Sequence, residues 1–120
     1  MASNFFVVHH TFRLGMAEKY WEKMNTEWSD EVSQQFRDNL ENAGIHFHTA
    51  FFIDKDGPIF CIYEAKESVS DDEFQKFIDG PEALGVHGGL YPDCPMNNTC
   101  LKVNLSLSGS EPPLPRHFTD

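Results

Sequence analysis

Two aromatic, β-branched runs stand on either side of Asp54-Lys55-Asp56-Gly57, and no other stretch restricts the fold as tightly. Ile45 to Ile53 and Pro58 to Ala65 read as strands, and an Asp-x-Asp-Gly break between such runs is a hairpin turn. Upstream, Asn4 to Phe12 is a third run of the same composition and reads as a strand buried on both faces. From Met16 the period changes: Met16, Tyr20, Met24, Trp28, Val32, Phe36 and Leu40 recur every four residues, with Trp21 beside the stripe. A four-residue repeat overshoots the 3.6-residue turn, so the stripe drifts by about 40° each time. The spacing therefore predicts a break near Ser29-Asp30, with Ser29 capping a second helix that ends at Gly44. Ser70-Asp71-Asp72-Glu73 is a capping box opening a helix to about Asp79.

Gly80 to Asn98 holds four Gly and three Pro, including Gly88-Gly89 and Tyr91-Pro92, and reads as a loop with a short helical turn at Glu82–Leu84. Thr99 to Leu107 alternates as a last strand. The order strand, helix, strand, strand, helix, strand is the α+β ferredoxin-like βαββαβ arrangement, an antiparallel sheet with both helices on one face. A single domain over 1–107 is expected, followed by a Pro-rich tail, 108–120, expected to be mobile. The other sheet face also carries aromatics, so a ligand or a second subunit should cover it.

On the second strand, alternation separates Ile45, Phe47, Thr49, Phe51 and Ile53, the expected helix-facing core, from His46, His48, Ala50 and Phe52. A three-residue turn with Gly57 left-handed sets His48 opposite Glu64 and His46 opposite Lys66. A two-residue turn brings Cys61 and Tyr63 to the His face instead. His9 and His10, adjacent on the first strand, point to opposite faces, so one of them shares a face with His46 and His48. Imidazoles grouped with the Glu64 carboxylate are transition-metal ligands, suiting Ni, Zn or Cu; His87 could close over the same face from the loop. The ordinary alternative is that these histidines are amphipathic packing residues. Trp21 and Trp28, seven apart, would line a pocket between helix and sheet, and Cys61 reads as a small buried hydrophobe.

Of the 120 residues, 19 are acidic against 9 Lys and Arg, a formal charge of −10, which excludes a phosphate-tracking nucleic-acid binder. No apolar run approaches the roughly 20 residues of a membrane span, and Met1-Ala2-Ser3-Asn4 does not begin a secretory signal. With three Cys and no disulfide framework, a cytoplasmic protein is expected. Phosphate loops, nucleophile elbows and dinucleotide fingerprints are absent from the sequence.

Asn42-Ala43-Gly44-Ile45-His46-Phe47, then Gly57-Pro58-Ile59-Phe60-Cys61-Ile62-Tyr63-Glu64-Ala65, resemble small bacterial ferredoxin-like domains of unknown function that include a nickel-responsive binding protein. These have a similar Gly-Val-x-Phe strand, a Gly-x-Ile-Phe-Cys-Leu-x-Glu-Ala strand, and a first-strand Val-His pair like Val8-His9. The likeness runs from Asn4 to Asp79. It implies a homodimer of dimeric α/β-barrel type and a divalent-metal site using His9 and hairpin neighbours. Those relatives carry a His in the second-helix segment, where this chain has Phe74-Gln75-Lys76-Phe77-Ile78-Asp79-Gly80. The wider barrel group includes cofactor-free monooxygenases and polyketide cyclases, which implies an enzymatic alternative with His46, His48 and Tyr63 as acid/base groups. A small-ligand or metal-binding protein is the leading expectation, and a purely non-catalytic dimerisation module the third.

Overall fold

The computed structural model describes residues 2–90 and 93–119; Tyr91-Pro92 of the expected loop lie outside the described residues. The elements are β1 (Asn4–Phe12), α1 (Ala17–Glu27), α2 (Asp30–Asn42), β2 (Ile45–Phe52), β3 (Ile59–Ala65), α3 (Asp71–Asp79), α4 (Leu84–His87) and β4 (Met96–Lys102). They form a small α+β unit around one four-stranded antiparallel sheet of order β2-β3-β1-β4.

The helical stripe breaks where its drift requires. Trp28 leaves the helix with extended backbone, and the Ser29 hydroxyl accepts the Val32 N–H at 3.1 Å to start α2. The Ser70–Glu73 capping box is complete at the head of α3. Strand β4 starts earlier than its alternation suggests and ends at Lys102, because Asn104 turns the chain: its side-chain oxygen accepts from the Leu107 N–H and the Ser106 hydroxyl.

Paired residues share a face, so Phe6, Val8, His10 and Phe12 stand with Tyr63, Cys61 and Ile59 of β3 and with Met96, Asn98 and Cys100 of β4. Phe6 stacks on Phe74 of α3 at 4.0 Å, and Phe12 meets Tyr20 of α1 at 5.3 Å, which makes this the helix-covered face. The core lies there, with Phe6, Val8, Tyr63, Phe74 and Ile78 all within 1% of complete burial.

The hairpin adopts neither simple register. Gly57 takes φ +90°, and the Ile53 N–H reaches the Pro58 carbonyl, so Phe52 pairs with Ile59 and Ala50 with Cys61. A β-bulge then inserts His48 as an extra residue, and beyond it Phe47 pairs with Tyr63 and His46 with Glu64. Because one residue of slip exchanges the faces, Ile45 and Phe47 face the helices as expected, whereas Thr49 and Phe51 do not. Ala50 and Phe52 take their places. Phe52 meets Trp21 of α1 at 5.6 Å on the covered side, although this end of the hairpin is open to solvent on both faces: Phe51, Phe52 and Ile53 are all more than half exposed.

Residues 103–115 carry no helix or strand. Arg116, His117 and Phe118 nevertheless come back to the sheet and are held on its far face, beside Phe5 and Glu64.

Candidate functional site: a sheet–helix pocket

Between the covered face of the sheet and helices α1, α2 and α4 lies a pocket of about 710 Å³. One wall is the helical stripe: Tyr20 and Met24 from α1 and Trp28 just past its end, four residues apart, with Phe36 and Leu40 continuing it on α2. The strand wall contains Ile45, Ala50, Ile59, Cys61, Tyr63 and Met96. The roof comes close: a Cβ on Gly85 of α4 would stand 2.7 Å from the Phe36 ring, and the Gly85 carbonyl accepts the Tyr20 hydroxyl at 2.7 Å. Burial raises the Tyr20 phenol well above its ordinary pKa, and burial with Cys61 beside it does the same to Tyr63. Both remain neutral at physiological pH. The Cys61 thiol is pushed up to about 12, again mainly by burial.

His10 is the polar residue in this wall with the most defined environment. It is 2% exposed, and its Nδ1 stands 2.6 Å from Asn98 Oδ1 on the neighbouring strand. The Asn98 amide nitrogen donates to Asp79 Oδ1 at 2.9 Å, and the other Asp79 oxygen accepts from Gln75. With its NH2 end committed to a carboxylate, Asn98 can offer His10 only an acceptor, so Nδ1 carries the proton. The neutral ring then holds a lone pair on Nε2, and among the described residues nothing hydrogen-bonds that atom. Burial lowers the His10 pKa, the Asn98 bond acting against it, His9 lowering it further and Asp79 raising it. The ring is neutral and single-tautomer at pH 7.

At the β2 edge the lining turns polar, with His46, His48 and His117 joined by Arg37 and Glu41 of α2. His48 Nε2 donates to Glu64 Oε1 at 2.8 Å, and His117 stacks on His46 at 3.7 Å between ring centres. Glu64 is fully buried, and four donors use its two oxygens. The His117 N–H and His48 reach Oε1, and the Ser3 hydroxyl and Phe118 N–H reach Oε2, at 2.6–2.9 Å. Burial alone would push this carboxyl up; the His117 N–H, the Ser3 hydroxyl, the Phe118 N–H and His48 together outweigh it and bring the pKa down to about 2. Arg116 completes the clasp, bonding the Ser3 carbonyl and hydroxyl while lying over the Phe5 ring. The His46 pKa is lowered by burial, then by His117 and His48, with Glu64 and Glu41 opposing.

His9, on the far face, stacks on Phe60 at 4.9 Å. That point is four residues along β1 from Phe5, the residue opposite Glu64, or about 13 Å away. His10 is on the opposite face. Among the described residues no group of three or more His, Cys, Asp or Glu side chains is arranged to hold a metal ion. Trp28 and Tyr63 are among the residues that line the pocket. Trp21 is not: its ring nitrogen donates to the Lys55 carbonyl at 2.6 Å, and it borders a surface cleft with Glu18, Glu22 and Asp56. His87 is buried on α4 and bonded to the Asp79 backbone; burial lowers its pKa, while that bond and the Asp79 charge raise it.

Sequence reasoning does not single out Asn98, Asp79, Ser3 or His117. Asn98 sits in a segment read as loop, and no local pattern ties residue 117 to residue 64.

The pocket and its buried imidazole sit in a small α+β domain built on one antiparallel sheet. The chain belongs to the family described as domain of unknown function DUF8652, whose model matches residues 5–110. No curated protein and no solved structure matches it. No helix among the described residues is long and apolar enough to cross a membrane.

Proposed function

We propose that this protein binds a small, largely apolar, aromatic molecule between its sheet and helices. The carrying observation is the pocket itself: about 710 Å³, walled by aromatic and aliphatic side chains. That volume is within the range of small-molecule sites, and so is the pattern of an apolar lining with a few polar groups.

Several features favour this reading over a metal centre. Glu64 has its oxygens engaged by four protein donors, and His48 is turned to it. His9 is remote from His46 and His48. Catalysis through Tyr63 as a base is disfavoured by its raised pKa.

The finer fold reading remains ferredoxin-like βαββαβ, with α2 and α4 as additions, and the order β2-β3-β1-β4 supports it. A homodimer through the far sheet face is part of the same reading, supported by the exposed Phe51 and Leu101 on that face.

Calorimetric titration and thermal-shift assays of the full chain with naphthalene, biphenyl and 2-naphthol test the proposal. Saturable binding to the native chain is expected. Ala50→Trp, which fills the pocket from β2, should abolish it while leaving the circular dichroism spectrum native. Absence of saturable binding by all three probes would reject the reading.

A further inference from the structure

Resting on the pocket reading above, we infer that the ligand is an uncharged molecule bearing an O–H or N–H donor, phenolic in type, which hydrogen-bonds to His10 Nε2.

The direction of the hydrogen bond follows from a chain of fixed partners. Gln75 holds one oxygen of Asp79 and Asn98 the other; Asn98 thereby turns its carbonyl oxygen to His10 Nδ1. Gln75 also donates to the Asn98 backbone carbonyl at 2.9 Å, so the asparagine is tied at both main chain and side chain. The imidazole is left as an acceptor, not as a donor or a rotating amphoteric group, in a residue that lines the pocket with its Nε2 covered. A buried nitrogen with no partner lowers stability by the desolvation of its lone pair. Such a group calls for a partner, and in a residue that lines a pocket a ligand donor is the partner that the pocket can supply.

The ligand's charge follows from the surroundings. An anion would meet the Nε2 lone pair and the field of a chain of net charge −10, and Arg37 in the lining already donates to Ser33 and Gln34 and has Glu41 in the same lining. A cation would have to leave water for a lining of Met24, Trp28, Phe36 and Ile59. A neutral aromatic donor meets neither obstacle: its ring lies among the aromatic side chains, and its hydroxyl supplies the one proton that Nε2 lacks. Nε2 is closed off from solvent. Met96 stands diagonal to His10 across the β1–β4 ladder and shares the pocket wall. Its unbranched side chain can change rotamer to admit a hydroxyl.

The test compares 2-naphthol with 2-methoxynaphthalene by calorimetry on the full chain. The two share a ring system and differ in the donor. One recovered hydrogen bond corresponds to about tenfold in affinity, so 2-naphthol should bind about tenfold tighter or more. In His10→Phe that preference should disappear. Should this variant fail to fold, imidazole 15N spectra of the native chain decide: Nδ1 protonated, and Nε2 moving from the free-acceptor to the hydrogen-bonded range on 2-naphthol addition. Equal affinities in the native chain, or an Nε2 signal that does not move on saturation, overturn the inference while leaving the pocket reading intact. Failure of naphthalene, biphenyl and 2-naphthol all to bind overturns both.

Discussion

Replacing Glu64 by Gln preserves the side chain's shape and removes its charge, which makes it the sharpest probe of how the C-terminal segment is held. The carboxylate accepts from Ser3, His48, His117 and Phe118 while fully buried. Gln must present an NH2 at one of the two oxygen positions. Facing Oε2's partners it meets the Phe118 N–H; facing Oε1's it meets the His117 N–H. Neither backbone donor can reverse its polarity, so one is orphaned whichever way the amide turns. The lowering of the Glu64 pKa from 4.5 to about 2 corresponds to about 3 kcal/mol favouring the ionised form in the folded state. Glu64→Gln should therefore lose about 3 kcal/mol at pH 7, or about 10 °C in Tm for a chain of this size. Because the folded pKa is depressed, this stability is complete above about pH 5 and is lost as pH falls from there toward 2. At pH 3 the native chain has already lost about 2 kcal/mol of it, so the gap to Glu64→Gln narrows to about 1 kcal/mol. Urea titrations of both chains at pH 7 and pH 3 measure this. Trypsin cleavage after Arg116 gives an independent reading of the clasp and should accelerate in the variant. A gap below 1 kcal/mol at pH 7, or one of equal size at both pH values, would refute the reasoning.

Asn98→Ala removes the acceptor from the buried His10 Nδ1 and a donor from Asp79; a loss of about 2 kcal/mol is expected by urea denaturation. Gly85→Ala sets a methyl group against the Phe36 ring; about 1–3 kcal/mol should be lost, and naphthalene affinity should fall as the ring is displaced into the pocket, both measurable by thermal shift. His10 and His87 are buried with pKa values lowered from 6.5. The unfolded chain therefore takes up their protons first, and stability should decline as pH falls through about 6.5. Urea midpoints at pH 7.5 and 5.5 check this, and His10→Phe should flatten the dependence.

Much of the local structure was legible because its causes are local. The Ser29 cap, the Ser70–Glu73 capping box, Gly57 with positive φ and the four-residue stripe are each decided by residues within a turn or two of one another. So is the split of His9 and His10 to opposite faces, which follows from strand pleating alone. The same stripe supplies one wall of the pocket, Trp28 included. Trp21 was misleading because, one residue off the stripe, it turns to the hairpin loop and bonds Lys55.

What the chain's order of residues determined by itself, then, is the set of elements, their caps and the two-faced character of β1. The tertiary structure decided the rest, and the bulge at His48 is the clearest instance. Alternation cannot reveal an inserted residue, because the extra position is chosen by which of Phe47, Ala50 and Phe52 fits against the helices, not by the strand. The same holds for His10, whose lone pair is directed only once β4 brings Asn98 alongside and α3 supplies Asp79. It holds again for Glu64, whose pKa is set by residues 61 positions before it and up to 54 after it. Hydrogen-bond satisfaction of a buried charge is a property of the packed chain, and local sequence carries no trace of it.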